Sequence, residues 1–124
     1  MDTSETVENA STPTPEPKGV VLLFCTDLMF GVELQSMSRK AGLRPVTLRP
    51  GIALPEGNIL VVDLRARGDW EAMIRAAVAR NMPVVAFGPH VDAEGRQKAK
   101  AAGASRVLSN SNLARDLPII LKEI

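Results

Sequence analysis

The residues best placed for chemistry are a carboxylate, a thiol and a hydroxyl at the ends of two apolar runs. Asp63 closes the run Ile59-Leu60-Val61-Val62, and Cys25, Thr26 and Asp27 stand where the run beginning at Val20 ends. A carboxylate at the point where a buried parallel strand opens into a loop lies on the rim where α/β sheets bind ligands. Arg65 and Arg67 flank the Asp63 rim and suit an anion or a partner carboxylate, although solvated loop arginines are the plainer reading. His90, the sole histidine, follows Gly88-Pro89 and reads as a solvated loop residue beside the same rim.

Other chemistries lack their parts. A phosphate loop of the tyrosine-phosphatase kind needs an arginine six positions after its cysteine, and Gly31 occupies that position after Cys25. Cys25 therefore reads as a buried, inert thiol. One histidine and one cysteine cannot build a His-containing zinc cluster. Neither a P-loop nor a dinucleotide-binding glycine motif follows any strand, and no Ser/His/Asp constellation stands out.

The elements that must position these residues are legible from the apolar pattern. Val20–Cys25, Pro45–Leu48, Asn58–Leu64, Pro83–Phe87 and Arg106–Leu108 read as five strands. Asp27–Ala41 reads as a helix with Phe30, Leu34, Met37 and Ala41 on one stripe, closed by Gly42. A second helix is capped by Asp69, with Trp70, Met73, Ile74, Ala77 and Val78 inward. A third spans Asp92–Ala102 and is ended by Gly103. Ser111 or Asn112 is expected to cap a terminal helix that buries Leu113, Leu117, Ile120, Leu121 and Ile124, with Pro118 kinking it or delaying its start. Alternating strands and helices imply a parallel sheet with right-handed crossovers. Arg49–Gly57 holds two prolines and two glycines, too irregular for a helix, so Ile52 and Leu54 are expected to patch the sheet face left open there.

Composition bounds the partners. The 124 residues are 45% hydrophobic and 23% charged, with no Tyr and one Trp, as for a single domain with an aliphatic core. A net charge of +1 offers no electrostatic case for nucleic acid or a membrane surface. The charge is uneven: Asp2, Glu5, Glu8 and Glu16 against Lys18 make the first 18 residues net −3, which leaves +4 for the remainder. Residues 1–18, rich in Thr, Ser, Glu and Pro, are expected to be a disordered acidic tail ahead of one α/β domain at 19–124. A single cysteine and the lack of a signal-peptide pattern set a cytoplasmic expectation.

Ile59–Leu64, Pro83–Gly88 and Ala99–Leu108 with its Ala102-Gly103-Ala104 turn together resemble the receiver domain of two-component response regulators. The resemblance covers 19–124 and implies a flavodoxin-like, doubly wound five-stranded parallel sheet in the order 2-1-3-4-5, here with the helix between the second and third strands reduced to a loop. It implies that Asp63 is the candidate phosphoacceptor. The family's two Mg²⁺-holding acids map onto Cys25 and Thr26, with Asp27 just beyond, its hydroxyl residue onto Gly88 and its lysine onto Asn110. Phosphoryl transfer to a carboxylate depends on a metal and a cation to neutralise developing charge, and Mg²⁺ prefers carboxylate oxygens and water.

The reading that follows is a non-enzymatic signalling or scaffolding module of pseudo-receiver type. It needs no cofactor, and Mg²⁺ enters only if phosphorylation is retained. It would bind a protein partner or a second copy through the side formed by the third helix, the fifth strand and the terminal helix, where Arg106 also lies. The alternatives are a small molecule bound at the strand-end rim of Cys25, Thr26, Asp27, Asp63, Gly88, His90 and Asn110, helped by space at Gly88, or an atypical receiver phosphorylated on Asp63.

Overall fold

A computed structural model describes residues 16–124. The elements run β1 (Val20–Phe24), α1 (Leu28–Lys40), β2 (Arg44–Thr47), β3 (Ile59–Asp63), α2 (Trp70–Ala79), β4 (Val84–Gly88), α3 (Ala93–Ala102), β5 (Arg106–Ser109) and α4 (Asn110–Lys122). The strands form one parallel sheet in the order β2-β1-β3-β4-β5. This is the doubly wound architecture that the alternating pattern implies.

The central strands β1, β3 and β4 are apolar on both faces because helices cover both. Val21, Leu23, Ile59, Val61, Val85 and Phe87 face one layer, where Leu34 of α1 and Leu113, Leu117 and Leu121 of α4 meet them. Leu22, Phe24, Leu60, Val62, Val84 and Ala86 face the other, under Met73, Ile74 and Ala77 of α2 and Ala99 and Ala102 of α3.

The link from β2 to β3 holds no helix. Leu54 turns into the α2–α3 layer and is buried, while Ile52 points away, 56% exposed, so only one of the two expected residues fills the gap. The link lies tight on the sheet: a Cβ at Gly57 would meet Leu22 Cγ at 2.7 Å.

Helix starts are set by carboxylates. Asp27, Asp69 and Asp92 each accept a hydrogen bond through Oδ1 from the backbone N–H three residues on, at 3.0, 3.0 and 2.9 Å. Three expectations are corrected. Val78 is exposed, at the end of α2 beside the Gly103 turn. The terminal helix starts one residue after Ser109, which holds the N-cap position without a side-chain capping hydrogen bond, because β5 runs straight into α4 with no linker. Pro118 does not delay that start: it sits inside α4, where the Ala114 carbonyl that loses its donor belongs to an exposed residue and can turn to water. No helix among the described residues is long and apolar enough to cross a membrane. The acidic-tail expectation falls mainly on residues 1–15, outside those described.

Candidate functional site

Register brings the site together. Phe24 lies level with Val62, so Cys25 follows beside Asp63; Asp63 in turn lies level with Phe87, and Gly88 with Ser109. Asp63 is 4% exposed, and it is the sole carboxylate buried among the described residues. Its Oδ1 accepts from the Arg65 backbone N–H at 2.8 Å, closing a tight turn after β3. Its Oδ2 lies 3.5 Å from Cys25 Sγ, which is also 3.5 Å from the Asp27 carbonyl oxygen. Burial, together with the nearby charge of Asp63, pushes the Cys25 thiol up from 9.0 to about 12. At neutral pH it carries its proton and donates it.

Above this pair is a recess of about 430 Å³ lined by Thr26, Asp27, Phe30, Asp63, Arg65, Arg67 and Asn110. Thr26 Oγ1 accepts from the Arg67 backbone N–H at 3.4 Å, which ties the β1 loop to the β3 loop. Asp27 is committed as the α1 cap. Asn110 opens α4, and its Oδ1 is buried without a hydrogen-bond partner. Arg65 and Arg67 are exposed and form no ion pair with Asp63.

Two rim residues stand apart. His90 is exposed on the loop ahead of α3 and does not line the recess. Gly88 is buried, and the space its missing side chain would leave is taken by Leu64, whose Cβ and Cδ1 would both lie 3.2 Å from an added Cβ. The expectation that Gly88 lets a ligand approach the backbone is therefore corrected. Phe30 is the wall residue that sequence reasoning assigned only to the core; it tilts against Phe87 with ring centroids 5.4 Å apart. No signal in the surrounding sequence marks it as a wall residue.

The donor set does not fit a receiver-type magnesium ion. That ion asks for clustered carboxylate oxygens. Here one of the two mapped acids is a protonated thiol, the other a hydroxyl, and Asp27 is engaged by its helix. Among the described residues no three His, Cys, Asp or Glu side chains gather around a common point.

No family model matches the sequence, and no curated protein matches it. Solved structures do match. The receiver domain of a sensor histidine kinase from Pseudomonas aeruginosa, described with magnesium coordinated in its active-site cleft, aligns with a TM-score of 0.71 at 20% identity, over 85% of this chain and 95% of that one. The HemR receiver domain from Leptospira biflexa, in its non-phosphorylated form, aligns at 0.69 and 17% identity, over 86% and 93%. A receiver domain from Clostridium thermocellum aligns at 0.68 and 15% identity, over 84% and 91%. At these identities the likeness is one of fold, and the fold of the described residues is that of the response-regulator receiver domain.

Proposed function

We propose that this chain is a non-enzymatic signalling or scaffolding module of pseudo-receiver type, acting through protein contacts and not through phosphoryl uptake. The observation that carries the reading is the Cys25–Asp63 contact: the carboxylate that would accept a phosphoryl group is buried and bonded to a protonated thiol and a backbone N–H. Phosphoryl transfer to that carboxylate would need cationic help, and the β5 end supplies Asn110 in place of a cation.

The test is intact-mass spectrometry after incubation with a small-molecule phosphoryl donor and Mg²⁺, with Asp63→Asn alongside and a phosphorylatable receiver as positive control. The expected result is no adduct on either protein while the control is labelled. An adduct on the wild type that is absent from Asp63→Asn overturns the reading and makes the chain an atypical receiver.

Partner contact or self-association through α3, β5 and α4 is the form this reading takes from the fold; a dimer is described for the beryllofluoride-activated NtrC4 receiver domain, of the same fold. Ile119 on α4 and Val91 ahead of α3 are the exposed large apolar residues there. A second surface has its own support. Leu28, Met29 and Val32, 82%, 76% and 60% exposed, form an apolar lip on the first turns of α1 beside the recess. Single scattered apolar residues are normal on a surface, whereas a contiguous set marks a contact face.

A small-molecule reading also keeps one observation, the orphaned Asn110 Oδ1 at the recess. It predicts a ligand-dependent rise in melting temperature that Asn110→Leu abolishes; a flat response across a metabolite panel removes it.

A further inference from the structure

At the opposite end of the sheet from Asp63 is a groove of about 710 Å³ whose lining includes Pro17, Lys18, Arg39, Leu43, Arg44 and Pro45. Leu43 and the two prolines give it apolar surface, and Lys18, Arg39 and Arg44 give it positive charge against one carboxylate, Glu16. Arg39 and Lys40 end α1, Arg44 begins β2, and all three are exposed together with Lys18. None of these four cations makes an ion pair among the described residues. The carbonyl end of α1 offsets part of the charge of Arg39 and Lys40.

The chain enters the domain through this groove. The Lys18 backbone N–H donates to the Gly42 carbonyl at 2.9 Å, and the Lys18 stem lies over Gly42, where a Cβ would meet Cε at 3.2 Å. The fifteen residues before Glu16 carry Asp2, Glu5 and Glu8 and no Lys or Arg. The acidic segment is thus tethered at the rim of the most cationic groove described. An extended chain gains roughly 3.3 Å per residue, so every one of those carboxylates reaches the groove, at the effective concentration of about millimolar that a short tether provides.

We propose that residues 1–15 dock in cis on this groove, with their carboxylates facing Lys18, Arg39 and Arg44. The contact runs through side chains and not through an added strand. The Arg44 N–H donates to Gly19, just ahead of β1, and the Leu48 N–H to Leu23 of β1, so Pro45 faces outward on this edge strand and has no N–H to offer a ladder. Charge holds the segment, so salt releases it.

Paramagnetic relaxation in the full chain tests this. A nitroxide is attached at Ser4→Cys, with the buried Cys25 left unlabelled. At low ionic strength the amide signals of Arg39, Lys40, Gly42, Leu43 and Arg44 are expected to lose intensity selectively. That loss disappears when Asp2→Asn, Glu5→Gln and Glu8→Gln are introduced together, or in salt that shortens the Debye length to about 3 Å. The changed positions lie outside the described residues, and melting temperatures measured in parallel check that every variant is folded. Loss that is absent or unchanged by either treatment overturns the proposal. So does equal loss in a mixture of ¹⁵N-labelled chain and unlabelled spin-labelled chain, because that outcome assigns the segment to a second copy.

Discussion

Cys25 Sγ and Asp63 Oδ2 meet 3.5 Å apart across the adjoining ends of β1 and β3, so the buried carboxylate has a thiol as its side-chain hydrogen-bond donor. The contact needs the thiol protonated. Burial disfavours a thiolate there, the Asp63 charge adds to that, and the thiol is accordingly pushed up to about 12.

Stability should therefore fall in alkali for a reason confined to this pair. In the unfolded chain the thiol ionises from its ordinary value of 9.0, whereas the native thiol holds its proton to about 12. Between those limits the native state binds more protons than the unfolded state, so the thiol's contribution is complete below pH 9.0 and is lost as pH rises to about 12. Denaturant midpoints measured across that window, for wild type and Cys25→Ala, isolate the effect, since the lysines that also titrate there are common to both. The wild type should decline more steeply; parallel curves would show that the thiol is not held protonated.

Restoring an acid at the same place should expose why magnesium does not fit. Cys25→Asp puts a second carboxylate beside Asp63 and should destabilise the fold by about 3 kcal/mol, the scale of an uncompensated buried charge. Mg²⁺ should recover part of that loss in the variant and leave the wild-type melting temperature unchanged. A wild type stabilised by Mg²⁺ would contradict the reading of the donor set.

The β4 end offers a similar reversal. Gly88→Thr would bring back the side-chain type that the receiver resemblance places there, but its Cβ would lie 3.2 Å from Leu64 Cβ and Cδ1. Overpacking of this kind costs about 1–3 kcal/mol. Leu64→Ala removes Cδ1 and should make the threonine cheaper in the double variant than in the single one. A double-mutant cycle by urea unfolding measures that coupling, and additive effects would mean that Leu64 does not occupy the space.

Much of this arrangement was legible because period and composition carry it. The all-apolar strands around Val61 and Val85 announced a parallel sheet covered on both faces, and Asp69 and Asp92 announced helix starts. Asp63 could be placed on the rim for the same reason. What stayed hidden depends on neighbours remote in sequence. Nothing around Gly88 says that Leu64 turns into its space, and nothing around Phe30 says that it walls a recess after capping by Asp27. The start of α4 right after Ser109 was missed because a strand passing directly into a helix leaves no turn residues to read.

The β2–β3 link shows the same limit at a pair of residues that a sequence pattern cannot separate. Ile52 and Leu54 are both large and aliphatic, in a segment with no period to tell inside from outside. Leu54 is packed in the α2–α3 layer, and Ile52 is not. Truncating a buried leucine removes its transfer free energy and leaves a cavity, a loss of about 2–5 kcal/mol, while an exposed isoleucine contributes within about 0.5 kcal/mol. Leu54→Ala should therefore lower the urea midpoint clearly and Ile52→Ala hardly at all. Because the link has no helical ladder of its own, the loss at Leu54 should also speed amide exchange in the residues of β2 and β3 that flank the link. Equal effects at the two positions would mean that the sheet face is not sealed by Leu54.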